Sequence, residues 1–259
     1  MQSSNSAFGG RGTEQIDPFD ASDSNLWRKA EYLGRYLFAA DFLSRYRPDA
    51  VADISCGVGY GTKELSRAAR NVIGVECSQE LIEIASMRYK NTGVRFQKKD
   101  LNCEDLAPDL ADCSVDAVVS FETLEHLADS HRAVSQFAQV LQPGGFLICS
   151  VPNAQFESGD DAGLPRNKSH KQWFSFGSLS RIVQSHEMQV LYRLGQSWSR
   201  ALFRREQQLS HAKCLTRKLS EEPIMHTPEM IRWLAYVAAY PTVEDVDGSY
   251  SIIIVAQKR

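Results

Sequence analysis

The sequence contains no long hydrophobic run and no cysteine pattern of the kind that binds zinc. No window of this 259-residue chain approaches the roughly 18 consecutive apolar residues that a membrane helix requires, and the first twenty residues contain no apolar core of signal-peptide length. The six cysteines form no C-x-x-C pair and have no histidine at ligand spacing. We therefore expect a cytoplasmic protein with no membrane contact and no metal site.

The sequence also lacks an excess of charge of either sign. Its formal net charge is -3, from 29 basic and 32 acidic residues, which gives no general attraction for a phosphate backbone. We therefore expect no DNA partner and favour a small-molecule or saccharide substrate.

The composition and the N-terminal pattern indicate one domain preceded by an arm. With 43% hydrophobic and 24% charged residues, the chain has an ordinary globular composition. Residues 1–24 are rich in Ser, Asn and Gly and lack periodicity, which predicts a flexible arm. Residues 25–259 are then a single domain. Apolar residues at helical spacing over 25–47 predict its first helix, and Pro48 follows.

Short apolar runs alternate with helical segments through the middle of the chain. Helical periodicity covers residues 62–70, 78–90 and 130–141. The runs predict strands at Ala50–Ile54, Asn71–Val75, Val94–Gln97, Asp116–Ser120 and Phe146–Val151. Such alternation is typical of parallel strands joined by right-handed crossovers. It predicts an α/β, Rossmann-like, doubly wound sheet.

The end of the chain predicts two further strands separated by a long insertion. A helix at 177–186 precedes a strand at 189–194, and the last strand covers 249–256, which makes seven strands in a mostly parallel sheet. A tight turn would be enough to join the last two strands. The helical insertion at 195–248 is therefore either a substrate lid or an oligomer surface, and a homodimer is one of the open alternatives.

A glycine-rich turn follows the first predicted strand. It reads Asp53-Ile-Ser55-Cys-Gly57-Val-Gly59-Tyr-Gly61, and such turns let the backbone approach a ligand at the start of a helix. A dinucleotide fingerprint would place its third glycine at position 62, where this chain has Thr62.

Two acidic residues follow the next two strands. Glu76 ends the second strand, where a carboxylate can accept hydrogen bonds from ribose hydroxyls, and Asp100 follows the third, where it can accept one from an adenine amino group. Alone, Glu76 would be a solvated strand end and Asp100 a helix cap. Together with the glycine turn they favour a charged nucleoside cofactor without a pyrophosphate.

The motifs VADISCGVGYG, VIGVECS, KKDLN, VDAVVSFETLEHL and LQPGGFLICSVPN resemble those of the class I methyltransferases that use S-adenosyl-L-methionine and release S-adenosyl-L-homocysteine. The resemblance runs from about Asp53 to Asn153. It implies that Asp53, Gly57 and Gly59 hold the methionine end, Glu76 the ribose and Asp100 the adenine. It places next to them the further cofactor contacts Ser55, Cys77, Leu101 and Phe121. Ser55 stands where many members have glycine.

The helix that contains Arg35 and Tyr36 resembles a segment that caps the cofactor in a bacterial subset of this family. Several members of that subset act on saccharides or other secondary metabolites. The resemblance implies that Arg35 and Tyr36 also contact the cofactor.

His126 is the candidate catalytic base, because it follows the fourth strand and an imidazole can accept a proton at cellular pH. The alternative is a histidine that only structures the loop. Glu122 and Glu125 either orient it or are exposed carboxylates at a helix start. His170, in the loop after the fifth strand, is the second candidate.

These features favour methyl transfer to a hydroxyl, or to an amine, of a small-molecule or saccharide acceptor. The family members that methylate adenine bases carry [DN]-P-P-[YF] where this chain has Ser120-Phe121-Glu122-Thr123. Two alternatives from other classes stay open. One is an NAD-dependent oxidoreductase, which the missing third glycine and the absence of a Tyr-x-x-x-Lys pair disfavour. The other is a non-catalytic module that binds S-adenosylmethionine.

Overall fold

The structure is a computed structural model that describes residues 16–110, 115–157, 167–196, 219–243 and 246–259. Residues 1–15 of the predicted arm, residues 197–218 and 244–245 of the insertion, Cys113 and Cys214 lie outside these residues. The division into arm, domain and insertion therefore stays a prediction.

Seven strands form one sheet in the order β3-β2-β1-β4-β5-β7-β6. The first five strands pair in parallel, and β7 runs antiparallel between β5 and β6. This arrangement confirms the predicted seven-stranded, mostly parallel sheet. The strands are β1 Ala50–Ile54, β2 Asn71–Glu76, β3 Val94–Lys98, β4 Val115–Phe121, β5 Leu141–Pro152, β6 Met188–Gln196 and β7 Ser251–Lys258.

Most α-helices lie where the periodicity predicts them, with bounds that differ by a few residues, but the short helix Ala107–Leu110 was not predicted. Side-chain caps fix several starts: Asn25 accepts a hydrogen bond from the Arg28 amide, and Ser175 forms a capping box with Ser178. The described helices are α1 Leu26–Ser44, α2 Tyr60–Leu65, α3 Gln79–Arg88, α4 Ala107–Leu110, α5 Ser130–Val140, α6 Phe176–Gln184 and α7 Pro228–Ala238.

Alternate residues of each strand face two separate hydrophobic cores. Val51 packs in the core that contains α1, α2, α3 and α7, whereas its neighbour Ala52 packs in the core that contains α4, α5 and α6. Because successive side chains point to opposite faces of a sheet, continuous apolar strands bury both faces. The doubly wound architecture follows from this pattern.

Helix α7, in the described part of the insertion, packs directly on α1. A carbon added at Gly34 would lie 2.4 Å from the carbonyl oxygen of Ala239, so only glycine allows this approach. Ile231 and Leu234 of α7 are buried in the same core as Leu33 and Leu37 of α1. In the part of the chain that the structure describes, no helix combines the length and the apolar character needed to span a bilayer.

Candidate active site

A cavity of about 660 Å³ opens at the carboxyl ends of the parallel strands. Its wall includes Ser55 after β1, Glu76 at the end of β2, Asp100 after β3 and Phe121 at the end of β4. Helix α1 forms another part of the wall. Ligands of open α/β sheets bind at this edge, and the volume is typical of a small-molecule site.

The turn after β1 carries two residues with left-handed backbone conformation next to the cavity. Gly57 has φ 56° and Ser55 has φ 62°, and both lie on the cavity wall. Glycine adopts this region without cost, whereas a serine there is strained. Gly59, the N-cap residue directly before α2, has φ 82°, and a carbon added there would lie 2.7 Å from the Phe96 ring.

Asp53 and Gly59 are the two predicted cofactor residues that the structure does not place on the cavity wall. Asp53 is fully buried; the Tyr36 hydroxyl donates to its Oδ1 at 3.0 Å and the Thr62 hydroxyl to its Oδ2 at 2.6 Å. Burial raises its pKa to about 7 although both hydrogen bonds act in the opposite direction. Its observed contacts position the turn relative to α1 and α2; contact with the methionine end stays a prediction.

Glu76 connects the glycine turn to the start of α3. Its Oε2 accepts a hydrogen bond from the Gly57 amide at 3.1 Å, and its Oε1 accepts from the amides of Cys77 at 2.8 Å and Ser78 at 3.1 Å. Both Glu76 and Cys77 line the cavity. Glu76 is therefore a fixed, buried carboxylate at the ligand edge, as a ribose anchor has to be.

Asp100 and Leu101 form the wall after β3. Oδ1 of Asp100 accepts hydrogen bonds from the backbone amide of Asn102 at 2.9 Å and from its side chain at 3.1 Å, and Leu101 is buried beside it. Asn102 also lines the cavity. The adenine contact predicted for Asp100 stays a prediction.

Arg35, Tyr36 and Phe121 converge from α1 and β4. The Tyr36 and Phe121 rings meet edge to face at 5.0 Å. Arg35 is 2% exposed and donates through Nη1 to Gln196 at 2.9 Å and Ser251 at 3.3 Å, while its Nη2 has no hydrogen-bond partner. All three lie on the cavity wall, as do both predicted catalytic histidines.

The predicted catalytic histidines lie side by side. The His126 and His170 rings meet edge to face at 4.9 Å, although they belong to different loops. Nδ1 of His126 lies 3.1 Å from the Ser169 carbonyl oxygen, and Nδ1 of His170 contacts a carboxylate oxygen of Glu157. The structure thus unites two candidates that the sequence presents separately.

Glu125 is not the exposed helix-start carboxylate considered as one alternative. It is 1% exposed, and neither of its carboxylate oxygens has a hydrogen-bond partner. Burial, followed by the nearby charge of Glu122, raises its pKa well above the usual value. Glu122 itself accepts a hydrogen bond from the Ser150 hydroxyl at 2.8 Å and faces Arg35 at 3.6 Å.

Several cavity residues escaped prediction from the sequence. Tyr60 lies within the glycine motif, Tyr250 directly precedes the last strand, and Ser251 begins it. The antiparallel direction of β7 brings its first residues to the carboxyl edge of the parallel strands. The direction of the last strand is therefore the feature from which Tyr250 and Ser251 could have been predicted as cavity residues.

Comparison with known proteins identifies the cofactor. Residues 52–149 match the family described as "Methyltransferase domain". A chain of Mycolicibacterium smegmatis named "Probable S-adenosylmethionine-dependent methyltransferase" is 29% identical over 80% of both chains. These similarities support a class I S-adenosylmethionine-dependent methyltransferase.

Two further comparisons bear on the methyltransferase. A ubiquinone biosynthesis O-methyltransferase of Xanthomonas axonopodis is 33% identical over 40% of this chain and 43% of that relative, so the match spans less than half of its length. The crystal structure of the N-methyltransferase NodS from Bradyrhizobium japonicum, in complex with S-adenosylhomocysteine, has a TM-score of 0.55 at 15% identity. It covers 95% of this chain and 93% of that one. At this identity the likeness concerns the fold.

The residues present fit S-adenosylmethionine, the cofactor of this methyltransferase. One cavity holds a glycine turn, the buried carboxylate of Glu76 and the carboxylate of Asp100, from three successive strands. An adenosine with no pyrophosphate needs hydrogen-bond acceptors for its hydroxyl and amino groups rather than a phosphate cradle.

Proposed function

We propose that this methyltransferase transfers the methyl group to a hydroxyl of a small-molecule or saccharide acceptor. The observation that carries the proposal is the pair of imidazoles, His126 and His170, whose rings meet at 4.9 Å on the cavity wall. A hydroxyl must lose its proton during attack, and two adjacent imidazoles provide proton acceptors for that purpose.

Glu76 would hold the ribose and Asp100 the adenine, while Arg35, Tyr36 and Phe121 would cover the cofactor from α1 and β4. S-adenosylmethionine, when bound, supplies a methyl group activated by its sulfonium. The protein then has to align the acceptor and exclude water, and the α1 wall of the cavity contributes to both.

His126 would accept the proton of the acceptor hydroxyl. An N–H at Nδ1 donates to the Ser169 carbonyl oxygen, 3.1 Å away, which makes Nε2 the basic nitrogen. Glu125 Oε1 lies 3.7 Å from this nitrogen and would stabilise the imidazolium that forms. His170, held by Glu157, would orient the acceptor.

Methyl transfer to an amine is the second candidate, and the N-methyltransferase NodS shares the fold. A neutral amine attacks without a base, so the two functions differ in their need for His126.

Turnover of matched acceptors tests the proposal. Transfer of a labelled methyl group from S-adenosylmethionine would be measured on paired sugars that differ only in a hydroxyl or an amino group. His126→Ala should lower turnover of the hydroxyl acceptor by roughly 10²–10⁴-fold without changing the affinity for S-adenosylhomocysteine. The control variant is His131→Ala, which replaces an exposed histidine on α5. Transfer to the amino sugar alone, or normal turnover of the His126 variant, would contradict the proposal.

A further inference from the structure

Three side chains with metal-binding atoms converge at one end of the cavity. Glu125, His126 and His170 each offer one ligand atom, and these atoms lie within 4.8 Å of one another. Two of the residues belong to the turn after β4, and the third comes from the loop after β5. Spacing along the sequence therefore gives no sign of the cluster.

The carboxylate of Glu125 is the observation that points to a ligand. It is 1% exposed, and both of its oxygens are buried without a hydrogen-bond partner. A buried carboxylate without partners is costly unless it is neutralised by a proton or a cation. Its Oε1 faces His126 Nε2 at 3.7 Å.

Both histidines already have the orienting contacts found around metal sites. Metal-bound histidines usually donate their second ring N–H to a carbonyl or a carboxylate. Here Nδ1 of His126 contacts the Ser169 carbonyl oxygen at 3.1 Å, and Nδ1 of His170 contacts Glu157. These contacts assign the lone pair to Nε2 in each ring.

The geometry needs a modest change to accept an ion. Bonds of about 2.1 Å place two tetrahedral ligand atoms about 3.4 Å apart, close to the 3.7 Å between Glu125 and His126. His170 has to turn inward, and the Asn167 amide that lies 3.0 Å from its Nε2 is exposed and can move aside.

We propose that Glu125, His126 and His170 bind a divalent transition-metal ion at the acceptor end of the cavity. Two imidazoles and one carboxylate suit zinc, iron(II), cobalt(II) or manganese(II) better than magnesium or calcium. Three protein ligands leave a coordination position open, as in catalytic metal sites. This conclusion departs from the expectation of no metal site, which considered cysteine ligands and histidine spacing alone.

An ion here would change how the acceptor is activated. The use of the ion rests on the proposed function, because the open position would take the acceptor hydroxyl oxygen. A metal-bound hydroxyl is more acidic than a free one, and its proton would then pass to water while His126 serves as a ligand. Binding of the ion itself is independent of any acceptor.

Cobalt(II) titration of the tag-free full chain tests the site. The protein would be treated with EDTA, desalted and titrated with cobalt(II) while its visible absorption is recorded, and S-adenosylhomocysteine binding would be measured on the same preparation. We expect saturation at one equivalent, no competition by equimolar magnesium, and loss of saturable binding in Glu125→Gln and His170→Ala. Glu157→Gln should weaken binding by about 10–100-fold.

The controls separate this inference from the proposed function. His131→Ala should bind cobalt(II) like the wild type. Unchanged binding of S-adenosylhomocysteine by each variant shows that the variant is folded. No cobalt(II) binding by protein that binds S-adenosylhomocysteine, or equal binding by wild type and both ligand variants, would overturn the metal site alone. Methyl transfer that EDTA leaves unchanged, in protein shown to bind cobalt(II), would overturn the role of the ion in the reaction.

Discussion

The backbone amide of Gly57 donates a hydrogen bond to Glu76 Oε2 at 3.1 Å. Two motifs that lie apart in the sequence, the glycine turn after β1 and the acid at the end of β2, are thereby fixed to each other. The same carboxylate also accepts hydrogen bonds from the backbone amides of Cys77 and Ser78. One side chain thus shapes the turn and also lines the cavity.

Glu76→Gln should weaken binding of S-adenosylhomocysteine by about 10–100-fold, since hydrogen bonds to a charged group contribute about 1.5–3 kcal/mol. The amide retains the size of the side chain but loses its charge and one acceptor. Isothermal titration calorimetry measures the change. Glu80→Gln, at an exposed position in the first turn of α3, should bind like the wild type; equal affinities for all three proteins would contradict the anchor role of Glu76.

Gly34→Ala should separate α1 from α7 and lower the free energy of unfolding by about 1–3 kcal/mol. The added carbon would lie 2.4 Å from the Ala239 carbonyl oxygen, a backbone atom that cannot turn away. The matched control is Gly177→Ala in α6, where the nearest atom is 3.8 Å away. It should be neutral or stabilising, because alanine favours a helix more than glycine does. Urea denaturation compares the two, and equal stability would refute the packing of α7 on α1.

Ser55→Gly should raise the free energy of unfolding by up to about 1 kcal/mol, because φ 62° is a strained conformation for serine. Ser55→Ala keeps the strain and removes the hydroxyl, so it separates the two contributions. Urea denaturation measures the change: the midpoint should shift while the dependence of the unfolding free energy on urea concentration stays constant. A glycine variant less stable than wild type would show that the hydroxyl outweighs the strain.

Asp53→Asn should remove a pH dependence of stability. The carboxyl has a pKa of about 7 in the folded protein, chiefly because it is buried, against an ordinary aspartate pKa of 3.8. The folded state therefore holds a proton that the unfolded state has lost between these values, and stability falls as pH rises from about 4 to 7. The asparagine variant should lose less stability over this range than wild type does.

Thermal or urea unfolding at several pH values measures the difference. Asp49→Asn, which changes an exposed carboxylate just before β1, should keep the wild-type pH profile. A wild-type profile in the Asp53 variant would mean that Asp53 does not titrate in this range.

The sequence predicted the sheet well because its strands are short apolar runs bounded by turns. Ala50–Ile54 matched β1 at both ends. Helix ends were less accurate: α2 ends at Leu65, whereas periodicity extended the helix to residue 70. Apolar periodicity continues into the hydrogen-bonded turns that follow the helix, so it locates a helix better than it locates the end of that helix.

The site was predictable where residues follow the strand ends, as Glu76 and Asp100 do. The site was not predictable where residues that are distant in the sequence come into contact. The contact between His126 and His170 depends on the path of the loop after β5. The buried state of Glu125 depends on the packing of that loop, because the Lys171 amide donates to the Glu125 carbonyl oxygen at 2.7 Å. No local pattern encodes either contact.

Calorimetric titration of the purified chain with S-adenosylmethionine, S-adenosylhomocysteine and NAD tests the central claim most directly. A cavity lined by the glycine turn, Glu76 and Asp100 should bind both adenosyl ligands at micromolar concentrations and should not bind NAD. Binding of NAD alone would contradict the account, because it would make Glu76 the ribose anchor of an oxidoreductase.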